Sequence, residues 1–255
     1  MSAFDQKLNE IIKEQWGSVV FQSGVLCSPF DQKYALIINM VVWYAVRLVL
    51  ELDERCDTAA EVIKLGEFFT ESGAIEKKDE IIKQFHLFKD NDKEFPVISP
   101  YYLTVPDNVR YNPDTYLKPG DFVMIKRENP YISYNHAGIY SGNAEIIHIS
   151  VPDDCHGNGK FNKEEARIMK TSWSTFYGDK AAEINIVLRF YKRRTNEEVL
   201  QVAESLIGAR KGTYHFLREN CQHFAGYCQT GYDFSPEVFE MFENTPWIAY
   251  KYKLN

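Results

Sequence analysis

Long runs of any one kind are scarce in this chain. Its 255 residues hold no basic-then-apolar leader at the N-terminus, and no Cys-x-x-Cys pair among Cys27, Cys56, Cys155, Cys221 and Cys228. An odd, dispersed cysteine set argues against a disulfide framework and for a reducing, cytoplasmic setting. Basic runs are equally scarce. The formal charge is −7, with 12 Lys/Arg against 18 Asp/Glu in residues 1–110 and 17 against 18 in the remainder. Nucleic acid is therefore excluded as a main partner, because phosphate neutralisation by Lys and Arg supplies most of that affinity. The most apolar stretch, Tyr34 to Leu52, is interrupted by Asn39, Arg47 and Glu51. A bilayer span needs about 20 predominantly apolar residues, so a buried helix is the expectation here and a membrane-inserted one the alternative.

Apolar and aromatic residues are plentiful, at 45% and 15% of the chain, enough to bury a real core. Helical spacing recurs over Phe4–Gln15, Glu61–Phe69 and Glu80–Phe88, which reads as a helical N-terminal extension. Pro96, Pro100, Pro106, Pro113 and Pro119 then break regular structure, and the domain boundary is placed near 110. After it the period changes. Phe122–Lys126, His136–Ser141, Glu145–Ser150 and Ile184–Phe190 read as strands, and Ser141-Gly142-Asn143 as a hairpin link that makes His136 and His148 neighbours. Thr195-Asn196-Glu197-Glu198 has the form of a capping box, and Asn220 to Gly231 reads as a capped helix with Cys221 in its first turn. The expected fold class is α+β.

The helix start is where the chemistry concentrates. Partial positive charge there favours thiolate over thiol, which singles out Cys221 as a nucleophile, whereas the other four cysteines default to packing. Cys221 and Cys228 on one helix lie roughly 10.5 Å apart, too far for a disulfide. His136 would serve as general base and His148 as the third member that orients it. Taken singly, each histidine reads as a half-buried, hydrogen-bonded residue. Two histidines and a cysteine could also bind zinc, but the spacing fits no common finger and offers no fourth ligand, so no metal or cofactor is expected. His223 is turned about 200 degrees around the helix from Cys221, which favours a structural or capping role. His86, His156 and His215 default to solvent or packing. The short basic cluster Arg189, Lys192, Arg193 and Arg194 reads as a solvated turn, with attraction to anionic headgroups as the alternative.

Leu117-Lys118-Pro119-Gly120-Asp121, His136-Ala137-Gly138-Ile139-Tyr140, Ile146-Ile147-His148 and Asn220-Cys221-Gln222-His223-Phe224 together resemble the lecithin:retinol acyltransferase family, with its H-rev107-like phospholipase/acyltransferase branch, inside the NlpC/P60 papain-like group. The resemblance covers roughly residues 117–231. It implies a permuted papain-like antiparallel sheet packed on helices. It further implies an acyl group taken from a glycerophospholipid as a thioester on Cys221, with His136 as base and His148 as third polar member. The acceptor would be water, an amine or an alcohol, and the Cys221 amide would help hold the oxyanion. The chain departs from the family at Ala137, where Trp is common, and at Gln222, where Glu is common. It also departs at Phe234–Asn255, which is aromatic, charged and broken by Pro236 and Pro246 where many members carry a membrane helix. Peripheral membrane attachment, and regulation or binding of a protein partner by residues 1–110, are the expectations that remain. The competing readings are a non-catalytic interaction protein that keeps the fold, acting at membranes or in development, and an amide hydrolase.

Overall fold

A computed structural model describes residues 1–14, 18–25, 33–40, 42–89, 101–128, 133–152, 164–178, 181–188, 194–213, 220–231, 233 and 235. Two compact units divide the chain, Met1–Ile98 and Ser99–Asn255. The division falls before residue 110 because the short strand β5 (Tyr101–Thr104) pairs with β10 (Ala181–Leu188) of the second unit.

The first unit corrects the expectation of a helical extension. Its two helices, α1 (Ala3–Glu14) and α2 (Glu71–Lys89), flank a four-stranded antiparallel meander of β1 (Ser18–Val25), β2 (Lys33–Met40), β3 (Tyr44–Glu51) and β4 (Ala60–Phe68). The helices expected near Phe4–Gln15 and Glu80–Phe88 are present. Of Glu61–Phe69, all but Phe69 is strand, and Tyr34–Leu52 is a hairpin of two strands in place of one buried helix. For Tyr34–Leu52 the cause is burial on both faces of the sheet. Ala35, Ile37 and Val49 pack against Phe4 and Ile11 of α1, while Ile38 and Val46 pack with Ala74 of α2. Strands covered on both sides read as continuous apolar runs, and periodicity alone cannot tell such a run from a buried helix.

The second unit is built on a six-stranded antiparallel sheet in the order β5-β10-β6-β7-β8-β9, with β6 (Phe122–Glu128), β7 (Ser133–Gly142), β8 (Glu145–Ser150) and β9 (Arg167–Ser172) completing it. Helices α5 (Asn196–Ser205) and α6 (Cys221–Thr230) cover one face, where Phe122, Met124, Ala137, Ile139 and Ile147 meet Val199, Phe224 and Ala225. The other face packs Val123, Ile125, Tyr140 and Ile146 on Trp173 and Phe176 of α4 (Trp173–Tyr177). A four-residue helix, α3 (Pro113–Tyr116), supplies Asp114, whose carboxylate accepts from the Tyr140 hydroxyl at 2.7 Å and the Asn143 amide at 2.9 Å. Among the described residues no helix is long and apolar enough to cross a membrane.

The Leu117–Asp121 motif is a structural lock. Gly120 has φ of +88°, and a Cβ there would stand 2.2 Å from the Asn196 carbonyl oxygen, so only glycine lets α5 begin against this turn. The Asp121 carboxylate accepts from the Lys118 amide at 2.7 Å, and the Gly120 amide donates to the Tyr140 carbonyl at 2.8 Å. These bonds fix where β6 meets β7, and thereby the height of His136 along the sheet.

Candidate active site

The β7–β8 hairpin turns through Asn143 and Ala144, both at φ of 55°, as a two-residue turn of the I′ kind requires. Its register sets Gly138 opposite His148 and leaves His136 on the diagonal of the same face. Glycine is needed at 138 for contact reasons: a Cβ would approach the Ile147 carbonyl oxygen to 2.9 Å and the His148 Cβ to 3.1 Å. With that space open the two rings meet. His136 Nε2 lies 2.8 Å from His148 Nδ1, and the planes stand at 79°. Phe176 covers both rings, its centroid 5.0 Å from each.

The line of hydrogen bonds continues beyond the pair. His148 Nε2 lies 2.9 Å from the Thr171 hydroxyl on β9, and that hydroxyl is also 3.4 Å from the Ser172 carbonyl. A carbonyl only accepts, so the hydroxyl that donates to Ser172 has its lone pairs for the His148 Nε2–H. His148 Nδ1 then accepts the Nε2–H of His136. This assignment of tautomers, made from the network, leaves the unprotonated Nδ1 of His136 as the basic atom. Burial, the neighbouring His148 and the Arg127 guanidinium hold His136 well below the ordinary imidazole range. Burial and Arg127 push His148 down to about 3. Both rings are neutral at pH 7, the state in which His136 can take a proton.

Cys221 opens α6. The Asn220 side-chain oxygen accepts from the amides of Gln222 at 2.9 Å and His223 at 3.0 Å, and His223 reaches back to complete a capping box. His223 thus has the capping role expected of it. At the far end Gly231 takes a left-handed φ of 84°, and Arg194 donates to the carbonyls of Tyr227 and Cys228 at 2.6 and 3.0 Å. One member of the expected basic cluster therefore caps a helix, while Arg189, Lys192 and Arg193 lie outside the described residues. Cys56, Cys221 and Cys228 are free thiols. Burial pushes the Cys228 thiol up to about 12, as suits a packing residue.

The Cys221 sulfur lies 3.9 Å from the carbonyl oxygen of Asn135, the residue before His136. The same carbonyl accepts from the Gln222 amide at 3.1 Å, and Ser235 donates to Gln222 Oε1 at 2.8 Å. Gln222 is buried, so this amide ties the start of α6 to the strand that carries His136. The structure thus joins His136 to His148 directly on the face of the sheet that α4 covers, and places Cys221 on the α6 face, in contact with the main-chain carbonyl of Asn135 and with neither ring. Thr171, Arg127, Asn135 and the tethering role of Gln222 escaped sequence reasoning. Only register could have found Thr171, since it pairs with Ile146, two residues from His148. Among the described residues no group of three or more His, Cys, Asp and Glu could hold a metal ion.

Comparisons with known proteins bear on the part of the chain that holds this antiparallel α+β unit. Residues 115–234 match the family model described as lecithin retinol acyltransferase. This part of the chain belongs to that family, which takes in the H-rev107-like branch. Among individual relatives, egg-laying defective protein 26 of Caenorhabditis elegans is 26% identical over 156 residues, covering 57% of this chain and 48% of that protein. Human phospholipase A and acyltransferase 4 is 26% identical, covering 42% of this chain and 66% of that protein. Bovine lecithin retinol acyltransferase is 28% identical, covering 55% and 66%. The chain thus spans about half of the first of these relatives.

Proposed function

We propose that this protein is a cysteine-dependent acyltransferase or phospholipase A-type acyl hydrolase that draws acyl groups from glycerophospholipids. The observations that support this reading are the chain His136–His148–Thr171 and the free Cys221 thiol at the capped start of α6, 3.9 Å from the Asn135 carbonyl. The rings face α4 and the thiol lies on the α6 side of β7, so the reading requires the start of α6 to shift past the end of that strand. In the first half-reaction the thiol proton passes to His136 Nδ1 as sulfur bonds to the ester carbonyl carbon. The carbonyl electrons move to oxygen, where the positive helix end and the Cys221 amide favour the charge. Collapse breaks the ester C–O bond, and the imidazolium returns its proton to the departing lysophospholipid alcohol. Water, an amine or an alcohol then attacks the thioester with the same base. The histidine strands precede the thiol helix in the chain, the reverse of the papain order, which fits a permuted papain-like arrangement.

The depressed basicity of His136 sets the character of the step. A resting thiolate–imidazolium pair is disfavoured where burial penalises the charged ring, so proton transfer accompanies attack. The test is intact-mass measurement after incubation with mixed phospholipids. The expected result is a single acyl adduct on Cys221 that Cys221→Ala abolishes while the circular dichroism spectrum persists. An adduct on another cysteine, or none across a panel of phospholipids, would remove the assignment. Peripheral membrane attachment and a cytoplasmic location accompany this reading, and the N-terminal unit is left for partner binding or regulation.

A further inference from the structure

The two ends of the N-terminal sheet differ in chemistry. At one end, the β3–β4 connection is polar, with the Arg55 guanidinium 2.8 Å from Asp53 in a local ion pair. The other end gathers the β2–β3 turn and the end of β4, and there the sequence runs Met40-Val41-Val42-Trp43. Hairpin turns normally carry Gly, Asn, Asp or Ser, and exposed apolar side chains flanking such a turn work against solubility unless they meet something. Met40 is 50% exposed, Val42 74%, Trp43 45% and Phe69 81%. The register joins them in space. Met40 pairs with Tyr44 and Tyr44 with Phe68, so Phe69 emerges beside the turn and its ring meets Trp43 edge-on at 4.2 Å.

We propose that this tip, made by Met40, Val42, Trp43 and Phe69, inserts into the interfacial layer of a zwitterionic phospholipid bilayer. Three observations select that occupant. The tip is the end of a hairpin, a projecting feature of a kind that enters a deformable surface more readily than it fills a pocket. An indole at its rim has the amphipathic character that places Trp at the boundary between headgroups and acyl chains. The charges alongside are acidic on balance: Glu67, opposite Ala45 next to the turn, is matched by Lys64 at 2.7 Å, Glu71 opens α2 just after Phe69, and residues 1–110 carry an excess of carboxylates. Anionic headgroups would be repelled, which leaves apolar insertion into a neutral surface as the interaction this chemistry supports. The inference stands on the N-terminal unit and holds whether or not Cys221 carries acyl chemistry.

The experiment uses the full chain and sucrose-loaded phosphatidylcholine vesicles, read by co-sedimentation at 0.1 and 0.5 M salt. Binding is expected to change less than twofold with salt and to weaken as phosphatidylserine is added. Val42→Asp is expected to lower partitioning at least tenfold, while Trp43→Phe stays within about threefold of the parent, since an aromatic remains. Brominated acyl chains should quench the parent's fluorescence more than that of the Trp43→Phe protein. These positions are exposed, so thermal unfolding should be unchanged and loss of binding cannot be ascribed to loss of fold. Cys221→Ala is expected to bind as the parent does, which separates failure here from failure of the acyl-transfer reading. Equal sedimentation of Val42→Asp and parent would overturn the proposal. So would absence of parent binding, or a concentration-dependent self-association that Val42→Asp abolishes without any vesicle binding.

Discussion

Lowering the pH from 7 to 5 should loosen the β7–β8 region by an amount set by the two buried imidazoles. The sign follows from the direction of the shifts: unfolded His titrates near 6.5, whereas folded His148 titrates near 3 and His136 well below 6.5. Between those values the unfolded chain binds more protons than the folded one, so stability is full above 6.5 and is lost as pH falls towards the folded values. For one group moved from 6.5 to 3, about 2 kcal/mol disappears between pH 7 and 5, at about 1.4 kcal/mol per unit once below 6.5. His136 adds a further loss in the same direction. The two units of the chain can open separately, so the appropriate assay is native-state hydrogen exchange of the Ile139 and Ile147 amides, corrected for intrinsic rate at each pH. His148→Gln, which keeps hydrogen-bonding capacity without a titrating ring, should reduce the pH-dependent loss by about 2 kcal/mol relative to the parent. The difference between the two proteins cancels the carboxylates that also titrate in this window. Parallel pH curves for parent and variant would refute the claim that burial and Arg127 keep His148 neutral.

Thr171→Val should lower kcat about tenfold with KM little changed, and Thr171→Ser should restore it, because the hydroxyl acts through the His148 tautomer. The 15N shifts of the imidazoles, recorded without substrate, should show Nε2–H on both rings in the parent and mixed tautomers in the valine protein. Gly138→Ala should cost roughly 1–3 kcal/mol, since its Cβ would press on the Ile147 carbonyl and on His148, and ring-to-ring contact should weaken in NMR. Gln222→Ala should destabilise by about 1–3 kcal/mol by leaving polar partners at Asn135 and Ser235 unmet, measured by urea unfolding of the second unit. Its rate of acylation should fall further than its stability accounts for. Asn220→Ala should cost about 0.5–2 kcal/mol through loss of the cap.

Sequence patterns were readable where a local rule has one solution. The capping box at Thr195, the N-cap at Asn220, the Gly231 stop and the hairpin around Gly142 need only neighbouring residues, and the structure forms each of them. The first unit misled chiefly because its two central strands, β2 and β3, are buried on both faces, which erases the alternation that distinguishes strand from helix. Thr171 was invisible for a related reason: a threonine on a strand carries no mark of its own, and its meaning arises only when β9 registers against β8 and sets its hydroxyl by His148.

The departures from the family pattern become intelligible in the same way. Ala137 is fully buried on the face that α6 covers, in one cluster with Cys221 and Phe224, so an indole at this position would have to push the thiol helix off the sheet. Gln222 donates to a backbone carbonyl, which a carboxylate cannot do, so a glutamate would turn the same contact from attraction to repulsion unless it held a proton. The two changes act on one junction, the seam between the start of α6 and β7. Ala137 lets the helix sit close and the Gln222 amide holds it there. A chain with Trp and Glu at these positions must seat the start of α6 on β7 by other contacts. Replacing both together, Ala137→Trp with Gln222→Glu, should therefore cost more than either single change fails to explain by addition. A double-mutant cycle on thermal stability should show a coupling of about 0.5–3 kcal/mol, and additivity would mean that the seam is not one unit.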